Sequence, residues 1–199
     1  MAELPRTLVV VALRAESAGV FEVADIPVLY CGVGKVNAAI ALARELARYA
    51  RQGQALPLVL NFGSAGSRQF ATGTLVECHE FVQRDMDVSG LGFALGVTPY
   101  DDAPPCLRFE RIFNHLPSAV CGSGDSFATV PTSMECGVVD MEAYALAKVC
   151  WYEKAQFACA KYVSDGADHA AADDWQRNLH RAADEFLGLY TAAARSPGP

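Results

Sequence analysis

Short apolar runs recur along the chain, and they most constrain its fold. Residues 7–13 (TLVVVAL) carry no charge and are rich in β-branched side chains, which is typical of a strand buried on both faces. Further runs predict strands at residues 27–31, 58–60 continuing into 61–66, 74–83, 119–122, 138–139 and 157–163. Strands without a polar face need cover on both sides of their sheet.

Helical patterns fall between these runs. Residues 36–52 place apolar side chains on one stripe and arginines off it, and residues 141 to about 153 predict a second helix. We expect one long helix from about residue 169, with Trp175 and Tyr190 on its apolar side, and a frayed tail at residues 196–199. The alternation predicts an α/β fold with a mixed, mainly parallel sheet. A length of 199 residues suits a single domain over residues 1–199.

Charge and composition exclude several functions. The net charge is −7 and the basic residues are scattered, so nucleic acid is not an expected partner. No apolar run is long enough to cross a bilayer, and residues 1–6 lack the features of a signal peptide. We therefore expect a soluble, cytoplasmic protein with no membrane partner.

Metal and cofactor motifs also fail. The seven cysteines show no C-x-x-C spacing and the four histidines show no metal spacing, so we expect reduced thiols and no metal site. The turn Gly32–Gly34 precedes Lys35, but Val36 follows the lysine where a phosphate loop needs Ser or Thr. A dinucleotide fingerprint needs glycine where Asn37 stands. No cofactor is expected.

Three acidic residues stand at strand ends, where α/β sheets bind ligands. Glu16 follows the first strand and Asp165 follows the last; each alone also fits a helix-start or turn residue. Glu142 lies beside the apolar Val138–Val139 pair and ahead of an alanine-rich helix. Burying an acid there is costly unless a ligand pairs with it. Together the three suit glycosidic chemistry, in which one acid protonates the leaving group and another activates water.

Six segments occur in an order that resembles the nucleoside phosphorylase superfamily, and in particular its 5′-methylthioadenosine/S-adenosylhomocysteine nucleosidase branch. They are residues 12–16 (ALRAE), 32–39 (GVGKVNAA), 61–66 (NFGSAG), 123–127 (SGDSF), 139–143 (VDMEA) and 163–168 (VSDGAD). The resemblance covers nearly the whole chain. It implies a three-layer sandwich, with the mixed sheet between layers of helices.

The resemblance also implies a role for each matching residue. Asp165 would protonate the purine at N7 with support from Ser164, and Glu16 would activate the attacking water. The remaining matching residues would bind the nucleoside: Met141 and Glu142 at the ribose hydroxyls, Phe127 stacked on the purine, the backbone of Ala128 at the purine edge, and Ser64 near the ribose and the water.

Residues 85–105 are rich in Gly, Pro and Asp and predict a long loop. In the family that this chain resembles, the corresponding segment crosses a homodimer interface and lines the partner's pocket for the 5′ substituent. The matching positions here are Val88, Leu91, Phe93 and Pro99. Local packing of the loop accounts for these apolar residues equally well.

The resemblance favours water over phosphate as the nucleophile. Phosphorylases of this superfamily place an arginine where this chain has Asn61, and another near Ala15. A phosphate dianion needs such charge-assisted donors, and Glu16 would repel it.

Departures from the family leave the substrate open. Residues 17–27 and 127–140 are shorter than usual, Lys161 replaces a typical arginine and Asp140 a common glutamate. A more open pocket would accept a different 5′ group. The first hypothesis is therefore a hydrolase of 5′-modified purine nucleosides. The alternatives are a futalosine- or hopanoid-type nucleosidase, a phosphate-dependent phosphorylase, and a nucleoside-binding protein without catalysis.

Overall fold

The computed structural model describes residues 7–130, 132–178 and 180–195. Within them the strands are β1 (Thr7–Val11), β2 (Val28–Tyr30), β3 (Leu58–Gly66), β4 (Leu75–Gln83), β5 (Cys106–Arg108), β6 (Ser118–Ser123), β7 (Val138–Asp140) and β8 (Phe157–Asp165). The helices are α1 (Arg14–Ser17), α2 (Val20–Val23), α3 (Lys35–Arg51), α4 (Ala143–Glu153), α5 (Ala171–Asn178) and α6 (Ala183–Arg195), with a 3-10 helix at Ser89–Leu91.

The strands form one mixed, mainly parallel sheet, as predicted. Parallel pairings join β2 to β1, β1 to β3, β3 to β8, β4 to β6 and β6 to β7. Antiparallel pairings join β4 to β5 and β8, and β3 to β7 through the single pair Gly66 and Val139. The long strands β3 and β8 run side by side, so their carboxyl ends deliver Gly66 and Asp165 to one place.

Side chains alternate between the two faces of β1, and each face packs on its own helices. Leu8 and Val10 belong to a core that includes Leu42 and Leu46 of α3 together with residues of α4. Val9 and Val11 belong to a second core with Phe21 of α2 and residues of α6. This alternation follows from the period of two in a strand. It produces the predicted three layers, with the sheet in the middle.

The single long helix expected after residue 169 is wrong. α5 ends at Asn178, whose side-chain amide donates a hydrogen bond to the carbonyl oxygen of Ser164 (2.9 Å). A turn over residues 180–182 separates it from α6. Trp175 on α5 lines a cavity, while Phe186 on α6 packs against Phe62 in the second core. The turn lets the two helices pack in these different places.

Smaller differences concern short elements. The sequence patterns did not predict α1, α2 or β5, which are too short to show a period. The predicted strand that continues from residues 58–60 into the glycine-rich segment 61–66 is observed as β3. Residues 85–105 are irregular apart from the 3-10 helix, as predicted. The predicted frayed tail at residues 196–199 lies outside the described residues.

Within the described ranges, no helix is both long and apolar enough to cross a bilayer.

Candidate active site

A cavity of about 350 Å³ opens at the carboxyl ends of β1, β3, β7 and β8. Its size falls in the range of small-molecule sites. Eight of the residues singled out from the sequence line it: Glu16, Ser64, Phe127, Ala128, Met141, Glu142, Ser164 and Asp165. They come from separate parts of the chain, and the fold brings them together because the strands end at the same edge of the sheet.

Glu16 is almost fully buried and tightly held. Its Oε1 accepts hydrogen bonds from the backbone N–H (2.9 Å) and the hydroxyl (2.7 Å) of Ser64. Its Oε2 accepts the backbone N–H of Leu13 (3.0 Å), so the side chain also caps α1. A carboxylate has about four acceptor positions, and these three donors leave one on Oε2. That position is available to a water molecule or a ligand hydroxyl.

Asp165 ends β8 and is 3% exposed. Its Oδ2 accepts the Ser164 hydroxyl (2.8 Å) and its Oδ1 accepts the backbone N–H of Ala167 (3.0 Å). Burial, with a smaller contribution from the carboxylates of Asp168 and Asp174, raises the pKa of Asp165 above the ordinary value despite the lowering by these two hydrogen bonds. A Cβ at position 66 would lie 2.6 Å from Oδ1, so glycine at Gly66 gives the carboxyl its room.

Glu142 begins α4 and is 8% exposed. Its Oε1 accepts the backbone N–H of Gly34 (2.8 Å) at the start of α3. Burial and the nearby Asp140 carboxylate raise the pKa of Glu142 to about 7, although Lys161 and the Gly34 N–H act in the opposite direction. In its ionised form this carboxyl can accept hydrogen bonds from both hydroxyls of a diol.

A buried ion pair lies close to the acidic residues of the cavity. Lys161 of β8 contacts Asp140 of β7 (Nζ to Oδ2, 2.8 Å), and both side chains are at most 2% exposed. Asp140 also accepts the Ser123 hydroxyl and the backbone N–H of Ala143. Burial alone would raise the pKa of Asp140, but Lys161 and these donors hold it below the usual value. In the sequence, Lys161 and Asp140 stand out only as departures from the family; a lysine inside the apolar run FACAKYV is the signal that could have pointed to a buried ion pair.

The cavity wall that carries Phe127 is fixed by charged residues. Arg84 donates to the carbonyl oxygens of Gly124 and Ser126 and also lines the cavity. Lys35 pairs with Asp85, and its backbone N–H donates to Asp125 (2.8 Å). These contacts hold residues 124–126 against the end of β4 and the start of α3.

Trp175 and Arg84 line the cavity without having been singled out from the sequence. The sequence pattern predicts Trp175 on the apolar side of a helix, and in α5 its ring meets Phe127 edge-on at 6.5 Å between centroids. A helical period identifies a face without showing what that face covers. The sequence therefore carried no sign of a cavity on this side.

Four of the residues predicted to bind substrate are not in the cavity of their own chain. Val88, Leu91, Phe93 and Pro99 lie on the loop after β4 and do not line the cavity of their own chain. Leu91 is 73% exposed, and Phe93 contacts the ring of Tyr100. Their predicted place in a partner's pocket stays a prediction.

The side chains at and beside the two positions where phosphate-binding arginines are expected have other partners. Asn61 is buried in the sheet, where its amide donates to the carbonyl oxygen of Val10 (3.1 Å). The Arg14 side chain is 77% exposed and pairs with Glu22 (2.8 Å).

Among the described residues no group of three or more His, Cys, Asp and Glu is placed to hold a metal ion.

Known proteins resemble this chain along nearly its whole length. The family model of the phosphorylase superfamily matches residues 17–195. The 5′-methylthioadenosine/S-adenosylhomocysteine nucleosidase of Marinomonas sp. (strain MWYL1) is 29% identical over 188 residues, which cover 83% of this chain and 79% of the relative.

Two solved structures share the fold. The 5′-methylthioadenosine/S-adenosylhomocysteine nucleosidase of Helicobacter pylori superposes with a TM-score of 0.82 at 19% identity, covering 96% of this chain and 98% of the other. The futalosine hydrolase of Helicobacter pylori strain 26695 gives a TM-score of 0.82 at 20% identity, covering 96% and 97%. At these identities the likeness concerns the fold.

Proposed function

Because the chain belongs to the phosphorylase superfamily, we propose that it hydrolyses the N-ribosidic bond of a 5′-modified purine nucleoside and releases the purine base. The substrate is of the methylthioadenosine or S-adenosylhomocysteine type. The observation that carries the proposal is one cavity in which a buried acid with a raised pKa, Asp165, shares the walls with the hydrogen-bonded carboxylate of Glu16.

The proposed mechanism assigns one task to each acid. Asp165 in its protonated form donates to N7 of the purine, which makes the base a better leaving group. Ser164 orients that carboxyl through its hydroxyl. Glu16 accepts a proton from a water molecule at its free Oε2 position, and the water attacks the anomeric carbon. The C–N bond electrons leave with the protonated purine.

Glu142 and Met141 complete the ribose site. The Glu142 carboxyl accepts the 2′ and 3′ hydroxyls, while Gly34 fixes its position. Phe127 packs on the purine face, and the backbone of Ala128 contacts its edge. The negative charges of the site also favour a transition state that is cationic at the sugar.

We prefer hydrolysis to phosphorolysis because the cations in and near the cavity already have partners within the chain. Lys161 is committed to Asp140, Arg84 to residues 124–126, and Arg14 to Glu22 outside the cavity. A phosphate dianion would need at least one of these groups released. The second candidate is futalosine hydrolysis. A futalosine hydrolase shares this fold, and the short segments around the pocket would leave room for a different 5′ group.

One assay tests these statements together. The pure protein is incubated with methylthioadenosine, S-adenosylhomocysteine, futalosine and unmodified adenosine, each with and without inorganic phosphate, and base release is followed. We expect phosphate-independent release from a 5′-thio nucleoside. Turnover that requires phosphate would contradict hydrolysis, and turnover of futalosine alone would select the second candidate.

Glu16→Gln tests the water-activating role. The amide keeps the size of the side chain but is a very weak base, so we expect kcat to fall at least ~100-fold. Glu22→Gln is the matched control, because Glu22 lies on α2 outside the cavity. Full activity of Glu16→Gln would remove Glu16 from the mechanism.

We also propose a homodimer and a cytoplasmic location. Val36 and Ile40 lie one turn apart on α3 and are 67% and 46% exposed, next to Val33 at the cavity rim. Such neighbouring apolar side chains are typical of a contact surface. Val88, Leu91, Phe93 and Pro99 would then line the partner's 5′-substituent pocket. The location is tested by fractionation of cells that express the protein.

A further inference from the structure

Trp175 is connected to Glu16 through one side chain. The indole Nε1–H donates to Ser64 Oγ (3.0 Å), and Ser64 Oγ lies 2.7 Å from Glu16 Oε1. Both Trp175 and Ser64 line the cavity. The chain Trp175–Ser64–Glu16 therefore runs from helix α5 to the acid beside the first strand.

The chemistry of the three groups fixes the direction of these bonds. An indole N–H can only donate, and an ionised carboxylate can only accept. The single proton of the Ser64 hydroxyl is therefore directed at Glu16, while a lone pair of the same oxygen faces Trp175. Without the indole, that lone pair is free to accept from water and the hydroxyl can rotate away from Glu16.

Helix α5 is held in place for this contact. Asn178 donates to the carbonyl oxygen of Ser164 (2.9 Å), next to Asp165. Ala172, Trp175 and Gln176 face the cavity with the i, i+3, i+4 spacing of one helix face. The anchor and the face together bring the indole within reach of β3.

We propose that Trp175 is a positioning residue for the hydrolysis, which orients the water-activating Glu16 through the Ser64 hydroxyl and also forms the wall beside Phe127. The inference rests on the proposed function. The side chain has two roles in this proposal: its N–H orients Glu16 through Ser64, and its ring forms part of the wall that the bound base contacts.

Two substitutions separate these properties. Trp175→Phe keeps an aromatic wall and removes the N–H, so kcat should fall ~3- to 10-fold with KM nearly unchanged, which is the scale of one hydrogen bond. Trp175→Ala also removes the wall, so KM should rise in addition. Trp151→Phe is the matched control, since Trp151 lies on α4 away from the cavity and the chain has only these two tryptophans.

A double-mutant cycle with Ser64→Ala shows whether Trp175 acts through Ser64. In the Ser64→Ala background, Trp175→Phe should lower kcat no further. An equal loss in both backgrounds would show a general defect of α5 and would overturn the inference, as would wild-type kcat in Trp175→Phe.

The outcomes also distinguish this inference from the proposed function. If the wild type releases base but the cycle is additive, the role of Trp175 is wrong and the hydrolase proposal stands. If the wild type releases no base from any nucleoside, the proposed function is wrong and the inference falls with it.

Discussion

Burial raises the pKa of Asp165, hydrogen bonds from Ser164 and Ala167 lower it, and with the nearby Asp168 and Asp174 carboxylates the net effect is a raised pKa. A proton on this carboxyl therefore survives to higher pH than on an exposed aspartate. The hydrogen bonds from the Ser164 hydroxyl to Oδ2 and from the Ala167 N–H to Oδ1 fix the orientation of the carboxyl group. The residue is thus both oriented and protonatable, as a general acid must be.

Replacing Asp165 by asparagine removes the proton donor but keeps the size of the group. We expect kcat for base release to fall at least ~100-fold while adenine still binds. Asp184→Asn is the matched control, because Asp184 is exposed on α6 and does not line the cavity. An Asp165→Asn variant as active as Asp184→Asn would exclude the general-acid role.

Glu142 makes stability depend on pH. Its pKa is about 7 in the folded chain against an ordinary value of 4.5, so the folded state holds the proton more tightly. Stability from this group is complete below about pH 4.5 and is lost as the pH rises through about 7.

Glu142→Gln removes this dependence because glutamine stays neutral. The difference in free energy of unfolding, variant minus wild type, should therefore be larger at pH 8 than at pH 5 by about 1–3 kcal/mol. Urea unfolding at both pH values measures the difference. An identical pH dependence in both proteins would show that the Glu142 carboxyl has an ordinary pKa.

At the scale of elements, the Asp140–Lys161 pair joins the short strand β7 to the long strand β8. The backbone of β7 pairs with β6 and, at one residue, with β3, so this side-chain contact adds the link to β8. The residues that follow β7 are Met141 and Glu142. The pair therefore contributes to the position of the ribose site.

Lys161→Met should destabilise the fold by about 3–5 kcal/mol, because it leaves the Asp140 carboxylate buried without its cation. Lys148→Met is the control, since its pair with Asp101 is less buried and should cost about 1 kcal/mol. Adding Asp140→Asn to Lys161→Met should restore part of the loss. Equal costs in the two lysine variants would contradict this account.

At the scale of the molecule, the exposed apolar part of α3 is the clearest candidate for a contact between copies. Ile40→Arg should convert the proposed dimer to a monomer, because a buried unpaired guanidinium is costly at an interface. Light scattering measures the mass. Val23→Arg is the control, since Val23 is 91% exposed on α2 and should leave the mass unchanged. A monomeric wild type would contradict the dimer.

The sequence by itself predicted the α/β class and the three candidate acids. Apolar runs such as residues 7–13 can satisfy their backbone and bury both faces only in a covered sheet, so the α/β class followed from local pattern. Glu16, Glu142 and Asp165 were found because they stand where strands end, and their order matched one family.

Tertiary structure alone decided the environment of each acid. The pKa of Asp165 is raised mainly by burial, which depends on how the elements pack around β8. The ion pair of Lys161 with Asp140 and the contact of Trp175 with Ser64 join residues that are apart in the chain. The break between α5 and α6 belongs here too: α5 ends at Asn178, and the side chain of Asn178 donates to the carbonyl oxygen of Ser164 in β8. A local pattern reports which face of an element is apolar, whereas the distances and burial that set the chemistry depend on how the elements pack.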